Sequence, residues 1–349
     1  MQTFIASVFV FGILIFFHEL GHFAVAKAVG IRVYEFSLGF GNKIFGFNRG
    51  GTDYSVRLFP LGGYVRMAGM DPEEDEKERD YKEDEGFNSK TVGQRFWVIA
   101  AGAIMNFVLA ILLLATIYGV QGIPTLTTEV GAVVEESPAD AAGIKPGDKI
   151  VAINGVNVTT WQQLIDNVNN AGEELTVKLQ RNDQVKTLQI TPELSDDDRY
   201  VIGIQADPDK AFMQRANPLE ALWQGAQSTY QVTALIISFI GKMFTNEAPV
   251  DLGGPVAIVS EISNAAQMGI FQLLQLAAFL SINLGLFNLF PIPALDGSRL
   301  LFLTWEKIVG KPVDPAKEGF IHMIGFGLLL LLMVVITYND ILRLIGVDS

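Results

Sequence analysis

The stretch TFIASVFVFGILIFFHELGHFAVAKAV, residues 3–29, decides the fold class. About 20 apolar residues cross the hydrocarbon core of a bilayer, and this run reaches that length before its first basic residue, Lys27. It nevertheless carries His18, Glu19 and His22, and ionisable groups at membrane depth are costly enough to imply function. They form an H-E-x-x-H pattern. On a helix, positions i and i+4 share a face, so both imidazoles reach one Zn²⁺ while Glu19 stands beside it to accept a proton from a bound water. The chain has only three histidines, which makes a chance pairing unattractive. A cleaved signal peptide would need a basic start and a small-residue cleavage site, and the run has neither.

Two further runs are as strongly apolar, Phe96 to Val120 and Ile321 to Thr337, and a third, Phe271 to Phe290, contains Asn283, Asn288 and two glutamines but is rich enough in leucine and phenylalanine to span. Four crossings are therefore expected, consistent with 50% hydrophobic residues, 18% charged residues and a mean hydropathy of +0.32. The net charge of −13 argues against a nucleic-acid partner. The absence of cysteine removes disulfides, thiolate metal sites and a thiol nucleophile, leaving nitrogen and oxygen ligands for any metal.

Eleven Lys or Arg lie between Lys27 and Arg95, against nine spread from Gly122 to Ile270, and four between Pro291 and Phe320. The positive-inside rule then places the first and third connections in the cytoplasm and the long middle region outside it. Asp71 to Glu85 holds ten acids against three bases and reads as a solvated loop, since it lacks the spacing and central glycine of a calcium loop. Just before it, Asp53–Phe59 alternates polar and apolar residues, Pro60-Leu61-Gly62-Gly63 reads as a turn, and Tyr64–Met67 resumes the alternation, together a hairpin.

Residues 123–207 read as a small inserted α/β domain. Ser137 and Pro138 start a short helix that Gly143 ends, Lys149–Asn154 is a buried strand, and Thr160 caps a helix over Trp161–Asn169. Strands over Leu175–Gln180 and Gln184–Ile190 follow. The string from Ala142 through Ile150, with Ile153-Asn154-Gly155, resembles a bacterial PDZ domain, a module that binds peptides by adding a strand to its sheet. Residues 208–270 contain an amphipathic stretch, Leu219–Phe244, expected to lie on the membrane surface, with a fifth crossing as the rival reading.

Tetrahedral zinc with two histidines needs a third protein ligand. His322 opens the last apolar run. Asp296 follows Pro291 and Pro293, which break helical backbone at bilayer depth, a break tolerated where it lines a cavity. That placement favours Asp296.

Taken together, these motifs resemble the site-2 protease family of intramembrane zinc metalloproteases, in its bacterial branch typified by the regulator of sigma-E protease. The resemblance rests on HELGH, Gly62-Gly63-Tyr64-Val65-Arg66-Met67, Ala101-Gly102-Ala103-Ile104-Met105-Asn106, the PDZ-like insert, Gly253-Gly254-Pro255-Val256 and Leu295-Asp296-Gly297. It implies Zn²⁺ held by His18, His22 and Asp296, Glu19 as general base, and Asn106 and Asn288 near the active site for substrate binding. Two departures are room for one PDZ domain where many relatives carry two, and Ser298-Arg299 where glycine and histidine are frequent.

The expected protein is a polytopic α-helical membrane protein of four spans, with a membrane-associated β-hairpin and an inserted PDZ-like domain. Its membrane core comprises residues 1–122 and 271–349. By resemblance it sits in a bacterial inner or plasma membrane with the PDZ-like domain extracytoplasmic. Its partners are the lipid bilayer and single-span substrates such as anti-sigma factors or remnant signal peptides, whose backbone the edge at Gly62, Gly63 and Tyr64 would hold extended. A non-catalytic PDZ-bearing scaffold and a metal transporter are the alternative readings.

Overall fold

The structure is a computed structural model and describes residues 1–70, 81–170, 172, 174–195, 199–245 and 253–344. Most of the acidic run from Asp71 lies outside the described residues. Two compact units emerge, one from Met1–Ile117 with Pro218–Ser349, the other from Tyr118–Asn217.

In the first unit, α1 (Gln2–Ala28) is followed by two long strands, β1 (Val33–Arg49) and β2 (Thr52–Met67), and then by α2 (Val92–Gln121). Both α1 and α2 coincide with apolar runs. At about 1.5 Å per residue their 27 and 30 residues are long enough for a bilayer. Two later helices, over Ile270–Leu289 and Ala316–Arg343, complete four of sufficient length and apolarity among the described residues.

The hairpin departs from the sequence expectation. The chain reverses at Gly50-Gly51 and again across Pro60-Leu61-Gly62-Gly63, but the arms on either side of that second reversal do not pair with each other. The two stretches read as hairpin arms both pair with β1: Ser37 lies opposite Ser55 and Tyr64, and Leu38 opposite Val56 and Gly63. Asp53–Val56 runs in the same direction as Glu35–Leu38 and Gly63–Met67 runs against it, so the chain reverses direction by crossing over β1 near Pro60, which cannot donate to a ladder, and Gly62, whose φ of +117° favours glycine. The core beneath joins Ala26, Ile31, Val33, Met67, Val98, Ile99, Leu300 and Leu303, which fixes the end of the sheet against α1 and α2.

The second unit begins with β3 (Ile123–Leu126) and β4 (Val130–Val133), then α3 (Pro138–Ala141) and strands β5 (Lys149–Ile153) and β6 (Val156–Asn157). After α4 (Trp161–Asn169) come β7 (Leu175–Arg181), β8 (Gln184–Ile190), β9 (Glu193–Leu194), β10 (Tyr200–Val201), β11 (Ile204–Ala206) and β12 (Ala211–Gln214). The main sheet runs β6-β5-β7-β8, while β12 pairs antiparallel with β3 and closes the unit. Ser137 and Thr160 cap their helices as expected, accepting from the backbone N–H of Asp140 and Gln163 at 3.3 Å. Ile150, Ile153, Leu164, Leu175, Val177 and Leu179 fill the core.

One charge is buried there. Asp148, 1% exposed, accepts from Arg181 Nε and Nη2 at 2.6 Å and from the Lys145 N–H at 2.9 Å. Burial pushes its carboxyl pKa up, but these hydrogen bonds outweigh burial and hold it below the ordinary carboxylate value. Asp148→Ala removes the shared acceptor of Arg181 and the Lys145 N–H, leaving Arg181 only its bond to the Gly143 carbonyl at 2.8 Å, and is expected to destabilise this unit. Hydrogen exchange across β7 and β8 would register the loss. Since the folded-state pKa is depressed, the contribution is intact at neutral pH and drains away only as pH falls below about 3.9.

The chain returns to the first unit through α5 (Pro218–Phe244), α6 (Pro255–Met268), α7 (Ile270–Leu289), α8 (Asp296–Val309) and α9 (Pro315–Leu344). On α5, Ala221, Gly225 and Thr229 form a buried small-residue stripe; Gly225 lies against the α2 backbone at Ile111 and Ala115. Trp223, Tyr230 and Leu235 remain exposed. Asp340 on α9 accepts from the N–H groups of Gly254 and Ala257 at 3.1 and 3.0 Å, capping α6 from another helix.

Candidate metal centre

His18 and His22 face the same side of α1, one turn apart, with Nε2 atoms 3.2 Å apart. Asp296 arrives from 274 positions later in the chain. After α7 ends, the chain passes through Pro291 and Pro293, and α8 opens on Asp296, whose Oδ2 stands 3.2 Å from each histidine Nε2. Two imidazole nitrogens and one carboxylate oxygen thus converge from two elements.

Hydrogen bonding behind the rings says what belongs between them. His22 Nδ1 donates to the Val98 carbonyl at 2.9 Å, which leaves Nε2 of the neutral ring with a lone pair directed at the other two atoms. His18 Nδ1 lies 3.2 Å from the Asn106 side-chain amide, and that amide can present its oxygen to an Nδ1–H, freeing Nε2 of His18 in the same way. Asp296 Oδ2 is buried without a hydrogen-bond partner. Electron-rich atoms so placed repel one another unless a cation lies among them. Their 3.2 Å separations approach the edge of about 3.3 Å expected for a tetrahedron with ligands at about 2.0–2.1 Å, so the donor set fits zinc.

The surrounding helices leave no slack. Asn106 is fully buried, and its backbone carbonyl accepts from Ser281 Oγ at 2.8 Å, tying α2 to α7 behind His18. A Cβ at Gly102 would fall inside contact distance of both rings, 2.6 Å from His22 Cε1 and 2.8 Å from His18 Cε1. At Gly21 it would collide with the Ala101 backbone, so α1 and α2 meet through small residues. Gly102→Ala is therefore expected to push both imidazoles aside and lower metal affinity by at least the 10–100-fold that disturbing the groups around a metal's histidines costs. Competition with a chromogenic chelator measures it.

Residues 6–332 match the sequence pattern of peptidase family M50. This chain belongs to peptidase family M50. Among its relatives, the zinc metalloprotease RasP of Geobacillus kaustophilus is 35% identical over 98% of both chains, and the regulator of sigma-W protease RasP of Bacillus subtilis 37% identical over 99% of both. The Geobacillus alignment spans 418 positions against 349 residues here, so that relative carries segments with no counterpart in this chain. Among solved structures, the PDZ domain of an SdrC-like protein from Listeria monocytogenes matches 25% of this chain and 94% of its own length, at 22% identity and a TM-score of 0.22.

In this M50 chain, Glu19 lies within electrostatic reach of His18, His22 and Asp296. The sheet comes right up to it: a Cβ on Gly63 would sit 2.9 Å from Glu19 Cγ. Tyr64 beside it belongs to a polar cluster in which Glu35 accepts from Arg57 Nη2 at 2.6 Å and Ser55 Oγ at 2.9 Å. Burial pushes the Glu35 carboxyl up, while hydrogen bonds from Arg57, Tyr64 and Ser55 prevail and hold it below its ordinary value. Burial and that carboxylate raise the Tyr64 phenol. Tyr64 is thereby fixed as part of the sheet.

His322 stands apart from the M50 cluster. Its Nδ1 accepts from the Ala294 N–H at 3.0 Å, holding the left-handed residue (φ +75°) two positions before Asp296. Asn288 is buried at the end of α7. The ring-orienting contacts of Val98 and Asn106 were not readable as such: a backbone carbonyl leaves no trace in side-chain identity, and Asn106 came only from the family resemblance, which implied substrate binding instead of contact with His18.

Proposed function

We propose that this chain is an intramembrane zinc endopeptidase that hydrolyses a peptide bond within the transmembrane segment of a single-span protein. The observation that carries the reading is the convergence of His18, His22 and Asp296 beside Glu19, in a helix apolar enough to cross a bilayer. In this reading His18 Nε2, His22 Nε2 and Asp296 Oδ2 hold the zinc, and Asn106 and the Val98 carbonyl orient the two rings. When bound, zinc acts as a Lewis acid and lowers the pKa of a water to about 7. Glu19 takes the proton from the attacking water and delivers it to the leaving amide nitrogen. A helical substrate hides its carbonyls, so the strand edge at Gly63 and Tyr64, next to Glu19, pairs with the unwound backbone and holds it extended.

The four apolar helices cross a bacterial cell membrane. The basic connections after α1 and before α9 face the cytoplasm, and the PDZ-like unit lies on the opposite side. There it restricts which substrates enter, having no histidine of its own for catalysis. The exposed apolar surface of α9, including Leu328, Leu331 and Val334, suits lipid contact. Given the name of the Bacillus relative, membrane-anchored regulators of a sigma factor are the substrate class to test first. Purified protein in liposomes should cut a reference single-span substrate inside its apolar stretch, as located by mass spectrometry, lose that activity to a chelator and regain it with Zn²⁺. Cleavage that resists metal removal, or falls only in soluble flanks, overturns the reading.

A further inference from the structure

A cavity of about 890 Å³ opens in the first unit between the strand Tyr64–Met67 and helices α2, α8 and α9. Two of its carboxylates are engaged, Glu35 with Arg57 at 2.6 Å and Glu306 with Arg95 at 2.6 Å, while Glu318 lies 3.7 Å from His322 Nε2, beyond hydrogen-bond distance. Arg66 is also engaged and stacks over Tyr34 at 5.2 Å. Arg299 differs. It lines this cavity and also the adjoining one of about 430 Å³ that includes Asp296, yet it has no ion pair or hydrogen bond among the described residues. It stands three positions after Asp296 on α8, on nearly the same helix face.

Arg299 is a half-buried guanidinium in a cavity where Glu35 and Glu306 already pair with other arginines, which leaves its donors directed to a ligand entering the cavity. Its planar fork suits a carboxylate bidentately. Tyr64–Met67 and Arg299 line this one cavity, and Arg299 and Asp296 line the adjoining one, so a ligand lying along that strand meets Arg299 close to the metal centre. Resting on the protease reading above, we infer that Arg299 is a specificity-determining residue that binds a carboxylate of the substrate chain. Two sources share that chemistry: an acidic side chain close to the scissile bond, and the terminal carboxylate that hydrolysis creates on the amino-terminal fragment.

Two arms separate them. In the first, Glu, Gln or Ala is walked through the four residues on either side of the cut in the single-span substrate, and kcat/KM is measured. In the second, binding of a synthetic amino-terminal product fragment is followed by fluorescence anisotropy, as the free acid and as the C-terminal amide. A charge-assisted bidentate contact should favour Glu over Gln at one position, or acid over amide, by about 10- to 100-fold. Arg299→Gln should reduce that preference to within about threefold, and Arg299→Lys should retain part of it. The wild-type acid and amide comparison needs neither a folded variant nor turnover. Wild-type protein that cleaves substrate but shows neither preference, or a preference that survives in Arg299→Gln, overturns the assignment. Absence of all cleavage, with acid still bound more tightly than amide through Arg299, would instead remove the protease reading.

Discussion

Glu19→Gln is expected to keep its zinc and to lose cleavage by about 10²- to 10⁴-fold, the usual cost of removing a positioned general base. The substitution preserves the shape of the side chain, which is packed against Gly63, and removes only its basicity. His18, His22 and Asp296 are untouched, so the metal stays. Zinc content by mass spectrometry and turnover must therefore be read on one preparation. Wild-type turnover would exclude Glu19 as the base, and a metal-free variant would make it a ligand.

Asp296→Ala is expected to lower zinc affinity by more than the 10–100-fold that follows from losing a group hydrogen-bonded to a metal's histidine, because it deletes one of three donor atoms. The helix should survive, since Asp296 makes no capping hydrogen bond and its favourable place in the first turn of α8 contributes only about 0.3–1 kcal/mol. His322→Ala removes the acceptor for the Ala294 N–H, not a donor to the metal, and should change affinity less than tenfold. Chelator competition on the two variants gives the comparison. Faster stripping in the His322 variant than in the Asp296 variant would reverse the assignment.

Much of this was legible in the residues because the physics is local. Four apolar runs mark four helices, and i, i+4 spacing alone places two imidazoles on one face. Proline in a membrane-depth segment pointed to Asp296 as the third group. The sheet was read less well. The alternation in Asp53–Phe59 and Tyr64–Met67 is real, but a Pro-Leu-Gly-Gly string looks the same whether it joins two strands that pair with each other or two that flank a third. Only the partner, β1, distinguishes the two, and Gly39, Gly41 and Gly46 dilute its own alternation. Contacts such as Asp340 capping α6, or Ser281 behind Asn106, depend on tertiary placement that no local window contains.

The most direct test is X-ray absorption at the zinc edge on full-length protein in liposomes. The expected wild-type spectrum shows one zinc per chain with nitrogen and oxygen neighbours at about 2.0–2.1 Å, two of them imidazoles, and Asp296→Ala should lose the metal or an oxygen from that shell. A shell with fewer than two imidazoles, or one unchanged by Asp296→Ala, would contradict a centre built from His18, His22 and Asp296.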